Sequence, residues 1–175
     1  MKGGTLVEHM FSLRKVMQAV VTDFRAEDRS RWTELWTAYL RFYKTNLPAD
    51  VFDSTWERML SKSGTLRGAG VRATESGPLL GIVHYLMHES AWTSKQMCYL
   101  QDLFVDADVR GQGLARLLIE TVAQRAKDLD CYRCYWLTQE SNAQARILYD
   151  KVGRLSGFVR YDFDYARSNS SPAPR

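Results

Sequence analysis

Two glycines stand where a strand is expected to turn into a helix, in the run Arg110-Gly111-Gln112-Gly113-Leu114-Ala115. The first N–H groups of a helix have no intrahelical acceptor, and they lie at the positive end of the helix dipole. Glycine lets such a backbone approach an anion closely, so the run predicts a pyrophosphate site. A tight turn with only a structural role is the alternative. A P-loop and a dinucleotide fingerprint are excluded, because the run lacks a Gly-Lys-Ser/Thr ending and a third glycine at the required spacing.

The elements on either side must position this turn. Residues 97–105 alternate along a strand whose two faces are both largely apolar, which predicts a central strand covered on both sides. One face would carry Met97, Tyr99, Gln101, Leu103 and Val105, and the other Cys98, Leu100, Asp102 and Phe104. Gln101 and Asp102 are therefore expected inside the structure. After the turn, the strongest amphipathic helix of the chain is predicted from apolar residues spaced three and four apart, at Leu114, Leu117, Leu118, Val122, Ala126 and Leu129.

The rest of the chain alternates between short strands and helices. The predicted strands are Val20–Phe24, Val71–Glu75, Leu80–Leu86, Tyr132–Leu137 and Phe158–Tyr165. The predicted helices are Trp32–Leu40, Val51–Ser61 and Asn142–Val152, and a loop is expected at Gly64, Gly68 and Gly70. From residue 97 onward the order is β-α-β-α-β, which favours an α/β fold with a mixed sheet and helices on both faces.

Composition sets the class of protein. With 175 residues and 45% apolar content, the chain is expected to form one domain at residues 19–165, between an N-terminal extension at residues 1–18 and a disordered tail at residues 166–175. A formal charge of +4 predicts no nucleic-acid partner. No apolar run approaches the roughly 18 residues of a membrane helix, and residues 1–17 lack a signal-peptide pattern. Three cysteines, an odd number, predict a reduced, cytoplasmic protein.

Two segments resemble the GCN5-related N-acetyltransferase (GNAT) family. Arg110-x-x-Gly113-x-Ala115 resembles its (Gln/Arg)-x-x-Gly-x-(Gly/Ala) signature, and it follows Val105, where the family ends its fourth strand. The segment from Asn142 to Gly153 is similar to the family's Asn-x-x-Ala-x-x-Leu-Tyr-x-x-x-Gly segment. The resemblance covers residues 20–165. Residues 99–105 and 135–142 look closest to yeast Hpa2-like and spermidine/spermine N-acetyltransferases, which act on polyamines, small amines or basic peptides.

The resemblance implies a GNAT-like fold, with a mixed sheet of about six or seven strands that is splayed between the fourth and fifth. It implies acetyl-CoA as co-substrate and no metal. The pyrophosphate would bind the turn, the pantetheine arm would lie along the end of the fourth strand, and an amide near Leu103 would polarise the acetyl carbonyl. The residues so assigned to acetyl-CoA are Leu103, Phe104, Val105, Arg110, Gly111, Gln112, Gly113, Leu114, Ala115, Arg116, Asn142, Ala145 and Tyr149.

Three side chains are assigned catalytic roles. Tyr149 matches the family's proton donor to the departing thiolate, since a phenol of pKa about 10 stays protonated at neutral pH; its alternative is a core tyrosine. An alkyl ammonium, of pKa about 10.4, must lose a proton before attack. Gln101 stands where spermidine/spermine acetyltransferases have a glutamate, and it cannot accept that proton. Our hypothesis is that Asp102 binds the ammonium or relays its proton through water, which Gln101 helps to hold. The alternative is that Asp102 caps backbone amides.

Other reactive residue types receive structural interpretations. Cys131 and Cys134 have the spacing of a zinc or redox pair, but further ligands are missing and the pair does not open a helix. His84 and His88 are expected to be packed or solvent-facing, with His84 an outside candidate for the base. An aromatic helical stripe is expected in the core, although in similar enzymes this helix borders the acceptor site. The stripe comprises Trp32, Trp36, Tyr39 and Tyr43, and Glu34 and Glu57 would lie nearby.

The expected function is acetyl transfer from acetyl-CoA to a primary amine of a small amine, polyamine or amino acid, in a ternary complex. A lysine or N-terminus of a basic protein is the second choice of acceptor. A non-catalytic acyl-CoA-binding module and an interaction protein with a structural glycine turn are the other classes. A homodimer through residues 158–165 is also expected, and a membrane partner is not.

Overall fold

The computed structural model describes residues 19–61 and 63–163, so the predicted extension at residues 1–18 and tail at residues 166–175 lie outside the described residues. The described chain forms two compact units, which meet in sequence between Ser141 and Asn142. The first unit contains β1 (Val20–Asp23), α1 (Arg29–Phe42), α2 (Ala49–Leu60), β2 (Leu66–Arg72), β3 (Gly81–Ser90), β4 (Thr93–Val105), α3 (Leu114–Asp128) and β5 (Arg133–Trp136). The second contains α4 (Ala143–Val152).

The strands of the first unit form one mixed sheet in the order β1-β2-β3-β4-β5. The strands β1 to β4 pair with one another in antiparallel fashion, and β5 is parallel to β4. The mixed α/β architecture is confirmed, but the described residues contain five strands instead of six or seven. The predicted strand Phe158–Tyr165 accounts for part of the difference: residues 158–163 form no strand, and the last two residues lie outside the described part. A segment with the residue pattern of a strand forms one only where a neighbouring strand hydrogen-bonds with its backbone.

Helices cover both faces of this sheet. On β3, His84 bonds with Trp32 of α1, whereas the next residue, Tyr85, bonds with Arg125 of α3. Successive strand residues point to opposite faces, so α1 and α3 lie on opposite sides. The core on the α1 and α2 side is rich in aromatic residues and comprises Phe24, Trp32, Leu35, Trp36, Leu40, Trp56, Met59, Leu79 and Ile82. The predicted amphipathic helix is confirmed as α3, which buries Leu114, Leu118, Ile119, Val122 and Ala126.

Strand β2 corrects the prediction of a strand at residues 71–75. It begins at Leu66 and ends at Arg72, so Gly68 and Gly70, expected in a loop, lie inside a strand. Glycine is needed at position 68 because of close packing, since a Cβ there would lie 2.2 Å from Cε2 of Phe24. A strand glycine often marks such an approach of another group to the backbone. Gly68 therefore makes room for the Phe24 ring in the core.

A β-bulge at Gln101 changes which face each β4 residue occupies. Asp102 lies opposite His84, but Leu100 lies opposite Tyr85, so Gln101 is an extra residue in β4. The strict alternation predicted for residues 97–105 is therefore wrong, because a bulge reverses the pattern beyond it. Asp102 and Phe104 lie on the α1 face, opposite to Leu100. Asp102 is buried as expected, whereas Gln101 is exposed instead of inside.

The pairing of β4 with β5 ends well before β4 does. Its last register pair is Leu100 with Trp136, yet β4 continues to Val105. Residues 101–105 therefore have β3 on one side and no strand partner on the other, within the described first unit. The pairing ends where β5 itself ends, at Trp136, so the predicted splay between the fourth and fifth strands stays a prediction.

Candidate active site

Asp102 accepts hydrogen bonds from two different elements. Its Oδ1 receives a bond of 2.8 Å from the Tyr39 hydroxyl of α1, and its Oδ2 lies 3.1 Å from Nδ1 of His84 on β3. The Asp102 residue is only 9% exposed. Burial, followed by the negative charge of Asp102, raises the pKa of Tyr39 far above its usual value, so Tyr39 remains a donor. Both partners of Asp102 are side chains, so the capping of backbone amides weighed from the sequence is not what the structure shows.

The network continues from His84 to Trp32. The indole Nε1 of Trp32 lies 2.9 Å from Nε2 of His84, and the His84 residue is 1% exposed. Both ring nitrogens of His84 are thus engaged within the protein. His84, weighed as an outside candidate for the base, is instead a buried link between α1 and Asp102. Trp32 is core, as predicted.

Tyr39, which donates to Asp102, belongs to a cluster of aromatic rings. The ring centroids of Tyr39 and Tyr43 are 4.9 Å apart, and that of Phe104 is 6.4 Å from Tyr39. Tyr99 stacks on Tyr135 at 5.1 Å. Ring faces attract cations, and the carboxylate bonded to Tyr39 is negative, so the arrangement suits an ammonium group. Gln101 lies next to Asp102 on the bulge and is exposed, where its neutral amide can hydrogen-bond but cannot take a proton.

The glycine turn has the backbone form predicted for an anion site. Gly111 and Gly113 have φ angles of 78° and 83°, in the left-handed region, and a Cβ on either would meet nothing within 4 Å. Gly113 is the N-cap of α3, and no side chain caps this helix end. The N–H groups of residues 114–116 therefore lack intrahelical acceptors beside open space. Leu114 is buried and can offer only its backbone.

Arg110 joins the turn to the end of β4. Its Nε donates to the carbonyl oxygen of Val105 at 3.1 Å, and its guanidinium lies 5.3 Å from the ring centroid of Phe104. The side chain assigned to the pyrophosphate by resemblance thus bonds with the protein itself. Gln112 is exposed, and Arg116 pairs with Glu120 at 3.3 Å on the surface. The turn is therefore built mainly from backbone groups.

An ion pair that the sequence analysis did not predict connects α1 to the loop after β4. Arg31 pairs with Asp106 and also donates from Nε to the carbonyl oxygen of Leu79 at 3.1 Å. The Arg31 guanidinium holds the pKa of Asp106 below its usual range. Oδ1 of Asp106 accepts from the backbone N–H of Asp108 at 3.3 Å. No motif signals this pair, because its members are 75 residues apart.

The second unit contains the remaining predicted site residues. Asn142 is the N-cap of α4, and its side-chain oxygen accepts from the N–H of Ala145 at 3.4 Å. The capping role weighed for Asn142 is therefore present. Tyr149 lies on α4, where its carbonyl oxygen accepts from the N–H of Gly153 at 2.8 Å. Their roles toward acetyl-CoA stay predictions.

The three cysteines do not act together as a ligand set. Cys134 is the register partner of Cys98, and a hydrogen bond with Cys134 together with burial raises the pKa of the Cys98 thiol. Cys131 instead lies 3.5 Å from the sulfur of Met87. Across residues 19–61 and 63–163, no group of three or more His, Cys, Asp or Glu side chains could hold a metal ion.

None of the helices in the described part of the chain is both long and apolar enough to cross a bilayer.

Residues 23–153 match the acetyltransferase (GNAT) family, to which this chain belongs. It is an acetyltransferase. It is 35% identical to the D-amino-acid N-acetyltransferase HPA3 of Saccharomyces cerevisiae over 154 residues, which cover 88% of this chain and 93% of that protein. It is 32% identical to the thialysine N-epsilon-acetyltransferase of Sus scrofa over 75 residues, 43% of this chain and 44% of that protein.

A solved structure shares the fold. AAC(6')-Iy, in complex with the bisubstrate analogue CoA-S-monomethyl-acetylneamine, superimposes with a TM-score of 0.71 at 15% identity, over 84% of this chain and 98% of that one. At this identity the likeness shows the fold alone. The predicted GNAT-like fold is confirmed.

Proposed function

We propose that this acetyltransferase transfers the acetyl group of acetyl-CoA directly to a primary amine of a small molecule. The observation that carries the proposal is the end of β4. The strand continues five residues past its last pair with β5, and it leads into an open glycine turn before an uncapped helix. The strand edge without a β5 partner and the helix N–H groups without intrahelical acceptors are therefore only about ten residues apart in the first unit.

These features fit acetyl-CoA. The open space at Gly111 and Gly113 and the free N–H groups of α3 suit the diphosphate, since both the donors and the helix dipole favour an anion. The edge at residues 103–105 suits the amide-rich pantetheine arm, because β5 does not pair with it, although the carbonyl oxygen of Val105 accepts from Arg110. When bound, acetyl-CoA supplies a thioester whose acetyl group an amine can attack. The main chain near Leu103 is assigned the donor to the acetyl carbonyl oxygen, a preorganised contact of the oxyanion-hole type.

Asp102 is assigned to the acceptor amine. It is a buried carboxylate with aromatic neighbours, and each of its oxygens retains a lone pair beyond the bonds from Tyr39 and His84. An ammonium group would gain a charge-assisted hydrogen bond there. Asp102 would then orient the amine and pass its proton toward water, while Gln101 hydrogen-bonds that water. Much of the rate would come from holding the two reactants together.

The names of the relatives support a small acceptor. One relative is named for D-amino acids and another for thialysine, which favours a small amine, polyamine or amino acid over a basic protein tail. By sequence match, Tyr149 is assigned the proton donor to the departing thiolate, and Asn142 and Ala145 the pantetheine arm. A cytoplasmic location and a homodimer through residues 158–165 stay predictions.

Two measurements test the proposal. Titration calorimetry with acetyl-CoA should show binding at one site per chain, and absence of binding would remove the co-substrate assignment. Release of the coenzyme A thiol should then be measured with D- and L-amino acids, polyamines and a lysine-containing peptide. Turnover with a small amine supports the proposal, whereas turnover with the peptide alone would favour a protein acceptor.

A further inference from the structure

A buried chain of hydrogen bonds runs from Trp32 through His84 to Asp102. We propose that Trp32 is a positioning residue: its indole N–H holds His84 in the neutral form protonated on Nδ1, and His84 in turn holds Asp102 as a full anion toward the substrate ammonium. The inference rests on the proposed role of Asp102. It assigns a function in the reaction to two residues that have none in the sequence motifs.

The hydrogen-bond chemistry of the three groups allows one arrangement. An indole N–H is only a donor, so Nε2 of His84, 2.9 Å from Nε1 of Trp32, must accept. The proton of the neutral imidazole then lies on Nδ1, which donates to Oδ2 of Asp102 at 3.1 Å. A second proton on Nε2 would place two N–H groups facing each other in a site where both residues are almost fully buried. Trp32 therefore opposes the formation of an imidazolium.

The other neighbours of the His84 ring on these elements carry no charge. From α1, Trp36 packs its ring edge-on at 4.6 Å, and from the segment after β1, Phe24 does so at 6.3 Å. The register partner on β2 is Gly68, which has no side chain.

The charged and titratable groups near the ring can be named element by element. From β4, Asp102 contacts it directly, and from α1, Tyr39 faces it through Asp102. Also from α1, the cation of Arg29 lies 4.9 Å from the Trp32 ring centroid and pairs with Asp53 of α2. Among the described residues, Asp102 is the charged group that pairs directly with His84.

Loss of the indole N–H changes this balance. Nε2 of His84 would be free to take a proton, and the imidazolium would pair with Asp102. The carboxylate would then attract the substrate ammonium much less, because its charge would already be compensated. Histidine charge changes fall between about pH 5 and pH 8, so a Trp32→Phe variant should acquire an additional pH dependence in this range, on top of that of the wild type.

A direct test uses the free protein and needs no activity. Long-range ¹⁵N–¹H correlation spectra report the tautomer and charge of each histidine, and His9→Gln and His88→Gln samples identify the His84 signals among the three histidines by elimination. The wild type should show neutral His84 protonated on Nδ1 from about pH 5 to pH 8. A wild-type His84 protonated on Nε2, or one that titrates in this range, would overturn the inference. This spectrum decides the matter even if a variant fails to fold.

The matched pair of variants is Trp32→Phe and Trp36→Phe. Both residues are buried indoles of α1 beside His84, but Nε1 of Trp36 has no hydrogen-bond partner in the described structure. The ratio of kcat/KM for the amine in Trp32→Phe to that of wild type should fall by about tenfold between about pH 8 and pH 5.5, as expected when one proton removes the active form. The same ratio for Trp36→Phe should stay flat. Equal pH dependence in the two variants contradicts the inference.

The two proposals fail in different ways. If Asp102→Asn keeps full activity while the spectra show the expected tautomer, the role of Asp102 in the reaction is wrong and the effect of Trp32 on His84 stands. If Asp102→Asn loses activity but His84 titrates in the wild type, the positioning role of Trp32 is wrong and the acceptor site stands.

Discussion

The hydroxyl group of Tyr39 donates a hydrogen bond of 2.8 Å to Oδ1 of Asp102, across 63 residues of sequence. It connects the aromatic face of α1 to the residue that follows the bulge in β4. Because the bulge turns Asp102 toward α1, that helix supplies one of its two hydrogen-bond donors, Tyr39, and the ring of Tyr43 that packs against Tyr39. The acceptor side of the proposed site is therefore built from α1 together with β4.

Asp102→Asn should separate amine binding from acetyl-CoA binding. Asparagine keeps the size of the side chain but removes its charge, so kcat/KM for the amine should fall by about 10²-fold or more. Calorimetry should show unchanged affinity for acetyl-CoA, and kcat/KM should be measured across about pH 6 to 9, since a proton relay would also alter the pH profile. The exposed Asp128→Asn serves as a charge-matched control. An unchanged rate and pH profile for Asp102→Asn would remove Asp102 from the mechanism.

Gly113→Ala should weaken acetyl-CoA binding. The φ angle of Gly113 is 83°, and an alanine there is strained by about 1–2 kcal/mol, which favours a shift of the turn that carries the anion-binding N–H groups. Gly157→Ala is a matched control, because Gly157 has the same φ of 83° and equally open space. Calorimetry should give at least about tenfold weaker binding for Gly113→Ala, corresponding to about 1.4 kcal/mol, and thermal unfolding should show similar destabilisation in both variants. Equal affinities in the two would contradict the proposed diphosphate site.

Tyr149→Phe should lower turnover while leaving acetyl-CoA affinity nearly unchanged. The phenol is assigned a proton transfer that occurs as the thiolate departs, and loss of one such group costs about 10²-fold or more. Steady-state kcat and calorimetric affinity distinguish this effect from a packing defect, which would lower stability as well. Full activity in Tyr149→Phe would refute the assignment.

Local sequence patterns predicted the turn and the helix after it. The spacing of apolar residues along α3 and the glycines before it act over a few residues, so neither depends on distant parts of the chain. The positions of the family motifs could also be recognised from short stretches of sequence. Asn142, for example, is found as the N-cap that its position before α4 suggested.

Features set by distant partners were not predictable in this way. The bulge at Gln101 exists only in the register between β3 and β4, so a strict two-residue period placed Asp102 on the wrong face. The network of Tyr39, His84 and Trp32 around Asp102 follows from that register. The sequence analysis places Gly68 in a loop. The Phe24 ring that it accommodates is 44 residues away in the sequence, so no local pattern shows why a glycine is needed there. Tertiary packing overrides local preference in both cases.

Asp106→Asn should lower the free energy of unfolding at neutral pH and have little effect on it in acid. Arg31 lowers the pKa of Asp106 in the folded state below its unfolded value, which is about 3.9 for aspartate. The ion pair therefore stabilises the fold above that unfolded value, and its contribution is lost as the pH falls through the lower folded-state pKa. Because the Asp106 side chain is 25% exposed, we expect a difference of about 0.5–1 kcal/mol at pH 7.

The measurement is urea unfolding of wild type and Asp106→Asn at pH 7 and at about pH 3. The two curves should differ at pH 7 and converge in acid. Asp130→Asn, which removes an exposed partner of Lys95, should change little at either pH. Since Asp106 holds the loop between β4 and the glycine turn, the variant should also bind acetyl-CoA more weakly at pH 7. A stability difference that persists unchanged at about pH 3 would show that Asp106 acts through packing instead of charge.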